Sequence, residues 1–151
     1  MRKLAQSIAR KLIRVFTPTM EHTIREFRFL LGQSAILSSR SASKMFVNLW
    51  DAEVKVYSQW GEDGILDYLC EKIGLSKPKI LEVGAGDFSE CNSRFLAESR
   101  NASIFLVDSR PELLTSFEKS SLKWKNHIFS KTTWVTPDNI QEVFNEASSA
   151  M

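Results

Sequence analysis

Two stretches decide the fold of this chain: Lys79-Ile-Leu-Glu-Val-Gly-Ala-Gly-Asp87 and Ile104-Phe-Leu-Val-Asp108. Each begins as an apolar run, which a buried parallel strand requires. The first run opens into two glycines, where the absence of a Cβ lets a ligand approach the backbone closely. The second run ends, about 20 residues later, in an acid that can accept both hydroxyls of a ribose. The layout predicts an α/β fold that begins as a nucleoside-binding Rossmann-type unit.

The departures from the dinucleotide fingerprint bear on the ligand. That fingerprint places a third glycine at position 89, where this chain has Ser89. Asp87 and Glu90 would also stand at the start of the following helix, where a pyrophosphate needs bare backbone amides. S-adenosylmethionine has an adenosine and no phosphate, so it is the cofactor that these residues favour. The alternative is a glycine turn that only joins a strand to a helix.

Charge divides the chain into two regions. The 151 residues carry a net charge of +2, but residues 1–50 hold nine Lys or Arg and two Glu, while residues 51–151 hold eleven Lys or Arg and sixteen Asp or Glu. The mildly acidic second region argues against a nucleic-acid groove. Two cysteines and two distant histidines provide neither a disulfide framework nor a metal site. The cytoplasm is therefore the expected compartment. Of the two cysteines, Cys70 is expected in the core and Cys91 at a partly exposed position.

The N-terminal region, residues 1–43, has a helical pattern with a basic face over 2–16. Such a helix can lie on an anionic membrane surface, which would place the protein peripherally at a membrane. Two alternatives stay open: the segment also resembles a mitochondrial presequence, and it can instead pack on its own domain or on a partner. Thr17-Pro18-Thr19 predicts a break, followed by a second helix over 21–31 that ends at Gly32. The serines of residues 33–44 predict a linker.

The folded region is expected over 44–151. Tyr57-Ser-Gln-Trp-Gly-Glu-Asp-Gly64 predicts a turn into a helix that ends at Gly74. Strands are predicted at 79–83, at 103–108 and within 127–135, and further helices at 92–100, 111–122 and 136–147. The buried stripe expected on the first of these helices consists of Ile65, Leu66, Leu69, Cys70 and Ile73.

Three segments together resemble the FkbM-like group of class I S-adenosylmethionine-dependent methyltransferases. They are Tyr57–Leu66, Leu81–Asp87 with Cys91-Asn-Ser93 after it, and Val135-Thr-Pro-Asp-Asn-Ile140; the resemblance covers residues 54–143. It implies a SAM-dependent O-methyltransferase that acts on a sugar or a surface-polysaccharide precursor, a small-molecule or glycan acceptor.

The resemblance also implies site residues. Glu82, Gly84 and Gly86 would form the cofactor turn, Asp108 would hold the ribose, and Gln59, Glu62 and Asp63 would lie near the methionine end. Asp87 completes the set, although for Asp87 and Asn92 the capping of the following helix competes with a ligand contact. The segment Tyr57–Gly64 has a purely structural alternative, a turn with a helix cap. No catalytic base stands out, and the four tryptophans are expected in the core or at partner contacts.

One departure concerns completeness. In this family a further strand with an acidic motif follows the last helix, and the printed sequence stops at Met151 before it. The chain is therefore expected to form only strands 3-2-1 of the seven-stranded methyltransferase sheet, a truncated half-domain that is inactive alone. The open strand edge would favour self-association or a partner. The alternatives are a non-enzymatic, partner-dependent fragment and a dinucleotide-binding protein.

Overall fold

The computed structural model describes residues 2–41, 46, 48–118, 122 and 126–151 of the chain. Within them lies a parallel sheet of three strands, β1 (Lys79–Val83), β2 (Ser103–Asp108) and β3 (Ile128–Thr132), in the order β1-β2-β3. Leu81 is in register with Phe105, and Phe105 with Phe129. The α/β class, the strand order and all three predicted strand positions are confirmed.

Helices cover both faces of the sheet, because alternate side chains of β2 point to opposite sides. Ile104 and Leu106 belong to the larger core cluster, together with Phe88, Phe95 and Phe117. Phe105 and Val107 form a second cluster with residues of the last helix. The central strand is consequently buried along its length, as a parallel strand between two helical layers must be.

Five helices are described, together with a short 3-10 turn at Leu49–Ala52. They are α1 (Arg2–Ser41), α2 (Glu62–Lys72), α3 (Arg94–Arg100), α4 (Pro111–Glu118) and α5 (Ile140–Ala150). The helices predicted at 92–100 and 136–147 begin two to four residues later than expected. Backbone amides before each start are held by side chains instead: Glu82 accepts those of Asn92 and Ser93, and Asn139 accepts that of Thr136.

The predicted break at Thr17-Pro18-Thr19 is wrong, and so is the predicted linker as far as Ser41, since α1 is continuous to that residue. Residues 42–44 of the predicted linker lie outside the described residues. A proline removes one helical hydrogen bond but does not oblige the chain to leave the helix when both flanks favour it. Gly32 marks a close approach and not an end: a Cβ there would lie 2.2 Å from the Cγ2 atom of Val56. The second half of α1 therefore packs on the body of the protein.

The buried face of α2 differs from the predicted stripe. Cys70 is buried as expected, but Leu69 and Ile73 are 39% and 72% exposed, and Asp63 and Asp67 are buried instead. Asp67 forms ion pairs with Arg40 of α1 and Arg100 of α3, which satisfy its buried carboxylate. The predicted stop is confirmed, because the amides of Gly74 and Leu75 bond the carbonyls of Glu71 and Cys70 in the pattern of a Schellman cap.

The predicted exposure of Cys91 is wrong, whereas for the tryptophans, expected in the core or at partner contacts, the partner contact stays a prediction. Cys91 is buried and not partly exposed, and burial, with the nearby Glu82 carboxylate, raises the pKa of its thiol to about 12. Trp50, Trp60 and Trp134 are 68%, 78% and 72% exposed, so none of these three lies in the core. Trp124 lies outside the described residues.

β1 and β3 form the two edges of the described sheet. β1 pairs only with β2 in the part of the chain that the structure describes, and Val83 at its end is 50% exposed. This matches the expectation that the strand before the glycines would lie at an open edge. None of the described helices is long and apolar enough to span a membrane.

Candidate functional site

A cleft of about 480 Å³ opens where the three parallel strands end. This is the edge at which open α/β sheets bind their ligands, and the volume is in the range of small-molecule sites. The wall is built from the ends of all three strands and the loops that follow them: Val83, Gly84, Val107, Asp108, Ser109, Arg110, Thr133, Trp134 and Val135.

The turn over residues 83–88, called here the glycine turn, is fixed to the end of β2. The amides of Gly84 and Ala85 donate to the carbonyl of Val107 at 2.8 and 3.2 Å, and the amide of Gly86 donates to Asp108 Oδ2 at 2.9 Å. Gly84 and Gly86 have φ angles of +78° and +60°, which L side chains rarely adopt. A Cβ at either glycine would meet no atom within 4 Å, so the backbone is open to a ligand.

Asp108 joins this turn to the cleft. Its Oδ1 accepts hydrogen bonds from the amide and the Nε of Arg110, at 2.9 and 3.2 Å, while its side chain is only 3% exposed. Burial alone would raise the pKa of this carboxyl. The bonds from Arg110 and Gly86 outweigh that effect and hold the pKa below its ordinary value, so Asp108 is a carboxylate at neutral pH.

Glu82, the acid before the glycines, points to the start of α3 and not to the cleft wall. Its carboxylate accepts the amides of Asn92 and Ser93 at 2.9 and 3.1 Å, and it also accepts the Ser93 hydroxyl. These amides lie directly before α3, at Asn92 and at the N-cap residue Ser93, where no helical carbonyl is available to accept them. Glu82 therefore acts as the cap of α3.

Asp63 lies in the turn over residues 56–64, called here the acidic turn. Its Oδ2 accepts three consecutive amides, from Val56, Tyr57 and Ser58, at 2.7 to 2.8 Å, and the Ser58 hydroxyl at 2.9 Å. The side chain has no exposed surface, and its Oδ1 has no hydrogen-bond partner. The structure thus gives Asp63 a place inside the protein, where it shapes the chain before α2.

The other sequence-predicted residues lie on the surface of the two turns. Gln59 is exposed and its carbonyl accepts Lys55 Nζ at 2.8 Å, and Glu62 accepts the amide of Trp60 at 2.9 Å. Asp87 accepts the amide and the hydroxyl of Ser89, whose hydroxyl bond most strongly lowers the pKa of that carboxyl. Of the eight candidates, Gly84 and Asp108 line the cleft and Gly86 bonds to Asp108.

Arg94 connects the acidic turn to the glycine turn. Its guanidinium carbon lies 4.0 Å from the centre of the Tyr57 ring, and its Nη1 donates to the carbonyl of Phe88 at 3.1 Å. Burial, with a contribution from the Glu98 carboxylate, raises the pKa of Tyr57 to about 12. A buried arginine and an aromatic ring thus bring the two segments into contact.

Sequence reasoning missed Arg110 and Trp134 as cleft residues. Arg110 follows Asp108 by two positions, and Trp134 follows β3 by two, so both stand where loops leave the carboxyl ends of strands. A position just after a strand of a parallel sheet is the signal from which both residues can be predicted to line the cleft. Among the described residues, no group of three His, Cys, Asp or Glu side chains could hold a metal ion.

The chain was compared with protein-family models, with curated proteins and with solved structures, and none of the three comparisons finds a match.

Proposed function

We propose that the cleft binds S-adenosylmethionine, and that the chain is the cofactor-binding part of an O-methyltransferase of the FkbM-like kind. The observation that carries the proposal is the different placement of two acids. Asp108 faces the cleft, whereas Glu82 occupies the amides at the start of α3. The first placement suits a ribose and the second excludes a phosphate.

The capacity of Asp108 supports the ribose contact. A carboxylate offers about four lone-pair positions, and three of them are filled by Gly86 and by two donors of Arg110. One position on Oδ2 remains for a hydroxyl. The longest bond, from Arg110 Nε at 3.2 Å, belongs to a side chain that is 60% exposed. A second hydroxyl can replace that bond if the Arg110 side chain turns toward solvent.

The cap on α3 supports a ligand without phosphate. Dinucleotide sites bind pyrophosphate on the free amides at the start of the helix that follows the glycine turn. Here the amides of Asn92 and Ser93 are already bonded to Glu82, and a phosphate would also meet that negative charge. The Glu82 carboxylate thus disfavours phosphate through observed hydrogen bonds, whereas Asp87 and Glu90 do so only through their position in the sequence.

Trp134 and Gly84 complete the adenosine site in this proposal. The indole of Trp134 lines the cleft with most of its surface exposed, so an adenine can stack on its face. Gly84 leaves the backbone open on the strand side. The two residues would orient the nucleoside, while Asp108 fixes its ribose.

The cofactor, when bound, supplies an electrophilic methyl group for an in-line displacement. What the protein contributes is position, because holding the acceptor oxygen close to that methyl lowers the barrier without a covalent step. We infer a sugar or polysaccharide-precursor hydroxyl as acceptor, from the family resemblance. The proposed setting is the cytoplasm, with the open edge of β1 available to a further protein segment.

Calorimetry tests the ligand. The chain should bind S-adenosylhomocysteine more tightly than NAD. Asp108→Ala should weaken that binding by about 1.5–3 kcal/mol, since charge-assisted hydrogen bonds are lost. Trp134→Ala should weaken it by about 1–3 kcal/mol, the usual value of an aromatic stack on a base.

Glu71→Ala is the matched control, because it removes an exposed carboxylate on α2 that pairs with Arg40 and Arg100 and lies outside the cleft. Its affinity should equal that of the wild type. Tighter binding of NAD than of S-adenosylhomocysteine would contradict the proposal, as would an Asp108→Ala variant that binds as well as the wild type.

A further inference from the structure

Helix α1 presents a stripe of apolar side chains to solvent. Met20, Ile24, Phe27 and Leu31 are 60%, 53%, 64% and 62% exposed, and their spacing of four, three and four residues places them on one face. We call this set the α1 stripe. Side chains of this size are seldom left exposed in a row, so the stripe marks an interaction surface.

The opposite face of α1 explains why the stripe is held outward. The Phe29 ring lies 5.8 Å from the Phe95 ring, Ile36 is buried, and Arg40 pairs with Asp67. These contacts fix the rotation of the helix about its axis. The side chains of the stripe are therefore directed away from the core by the packing of the helix.

An apolar groove of about 650 Å³ continues the stripe toward the body. It runs from Ile24, Phe27 and Leu31 to Val54 and Lys55 in the segment before the acidic turn. Arg28 also lines it. The combined surface is apolar along its floor and cationic at its border.

The charge of the helix identifies the kind of partner. Residues 1–41 hold eight Lys or Arg and two Glu, with no acid before Glu21. A second copy of the chain would bring one cationic helix against another, which repulsion disfavours. Within 20–31 the two arginines are balanced by Glu21 and Glu26, so the excess positive charge of the helix comes mainly from residues 2–14, which hold five Lys or Arg and no acid. An exposed apolar face on a helix with such a basic segment is the composition of a helix that lies in the interface of an anionic bilayer.

We propose that the α1 stripe and its groove bind the surface of an anionic membrane, with Met20, Ile24, Phe27 and Leu31 inserted among the lipids. The sequence predicted such contact for residues 2–16; the structure extends it to residues 20–31 and to the border at Val54 and Lys55. Because this segment is rigidly attached at Arg40, the body would be held beside the membrane at a fixed orientation.

Flotation on vesicles tests the proposal with the full chain. The wild type should float with phosphatidylcholine vesicles that contain about 30% phosphatidylserine, and less with pure phosphatidylcholine or at high salt, since screening weakens the attraction. The double substitution Phe27→Glu with Leu31→Glu should lower the partition coefficient at least about tenfold. Circular dichroism and light scattering check the fold and the oligomeric state.

The matched control is Leu69→Glu with Ile73→Glu. It changes two exposed apolar residues, Leu69 of α2 and Ile73 directly after that helix, which are also four positions apart, to the same acids. This variant should float like the wild type to within about twofold, apart from the small effect of added charge. Equal losses in both variants would overturn the proposal, and so would a wild type that ignores anionic vesicles. A dimer that only Phe27→Glu with Leu31→Glu dissolves, without lipid binding, would assign the stripe to a second copy and overturn it as well.

Discussion

The acidic turn and the glycine turn are built from the same parts. Each combines glycines with an aspartate whose carboxylate accepts backbone amides: Asp63 in the first, Asp108 beside the second. They differ in what surrounds the carboxylate. Asp63 is enclosed by protein, whereas Asp108 and Gly84 form part of a cleft wall.

This difference separates a structural role from a binding role. The acidic turn contains one of the three segments that carry the family resemblance, yet its central acid is fully buried. The glycine turn has a weaker pattern and reaches the cleft. A sequence motif can therefore be specific because of the local structure that it forms. Whether its side chains are accessible to a ligand has to be seen in the structure.

The largest expected effect is that of Asp63→Ala. It leaves three buried amides and a hydroxyl without their acceptor, so we expect the free energy of unfolding to fall by about 4 kcal/mol or more. Asp138→Ala, which removes an exposed aspartate before α5, should change it by less than about 0.5 kcal/mol. Chemical denaturation measures both. A loss below about 1 kcal/mol for Asp63→Ala would remove its structural role.

Alanine at one glycine of each turn sharpens the comparison. A Cβ on Gly64 would lie 2.1 Å from the carbonyl oxygen of Ala52 and 2.6 Å from the amide of Val54, which are backbone atoms that cannot easily move. We expect Gly64→Ala to cost about 3 kcal/mol. Gly84→Ala meets open space and only a strained φ, so about 1–2 kcal/mol is expected. Thermal or chemical unfolding of both variants measures the two losses of stability. Equal losses would contradict the difference between the turns.

Glu82→Ala should have an intermediate effect. It removes the acceptor of two amides at the start of α3, and the loss of such a cap costs about 1–2 kcal/mol. The same variant frees the amides that a phosphate could use, so its affinity for NAD should rise relative to the wild type. Denaturation and calorimetry check the two effects separately. Wild-type stability in Glu82→Ala would show that the cap is dispensable.

The sheet could be predicted from the sequence because its signals are local. The strands at Lys79–Val83 and Ser103–Asp108 consist mostly of apolar residues, and Gly84 marks the turn after the first. The cleft followed from a general property of parallel sheets, that ligands bind at the carboxyl ends of the strands. This is why Gly84 and Asp108 were among the predicted site residues.

The features of the fold that the sequence did not predict depend on contacts between distant segments. The sequence pattern predicts a helix end at Gly32, because the neighbour that requires a glycine there, Val56, is 24 positions away. The buried face of α2 was misplaced because Asp67 is buried through Arg40 and Arg100, from two other helices. A periodic apolar pattern carries no information about such ion pairs.

The smallest expected effect is the pH dependence of Asp108. Its pKa in the folded protein lies below the ordinary value of about 3.9, so the ionised side chain stabilises the fold above that pH. The contribution is lost as pH falls through the folded pKa. Asp108→Asn should cost about 1 kcal/mol at pH 7, and its difference from the wild type should shrink below about pH 4. Urea denaturation across this range measures it; a difference that stays constant down to pH 3 would contradict the assignment.

The two buried cysteines allow local opening of the protein to be followed by the rate of chemical labelling. Cys70 lies on the helix that follows the acidic turn, and Cys91 contacts the carbonyl of Phe88 in the glycine turn. A thiol reagent reacts with the thiolate, which burial makes scarce at both positions, so modification has to wait until the surrounding segment opens. The two labelling rates, resolved by mass spectrometry of peptides, therefore report how often each turn opens. A ligand seated in the cleft would slow the labelling of Cys91 more than that of Cys70.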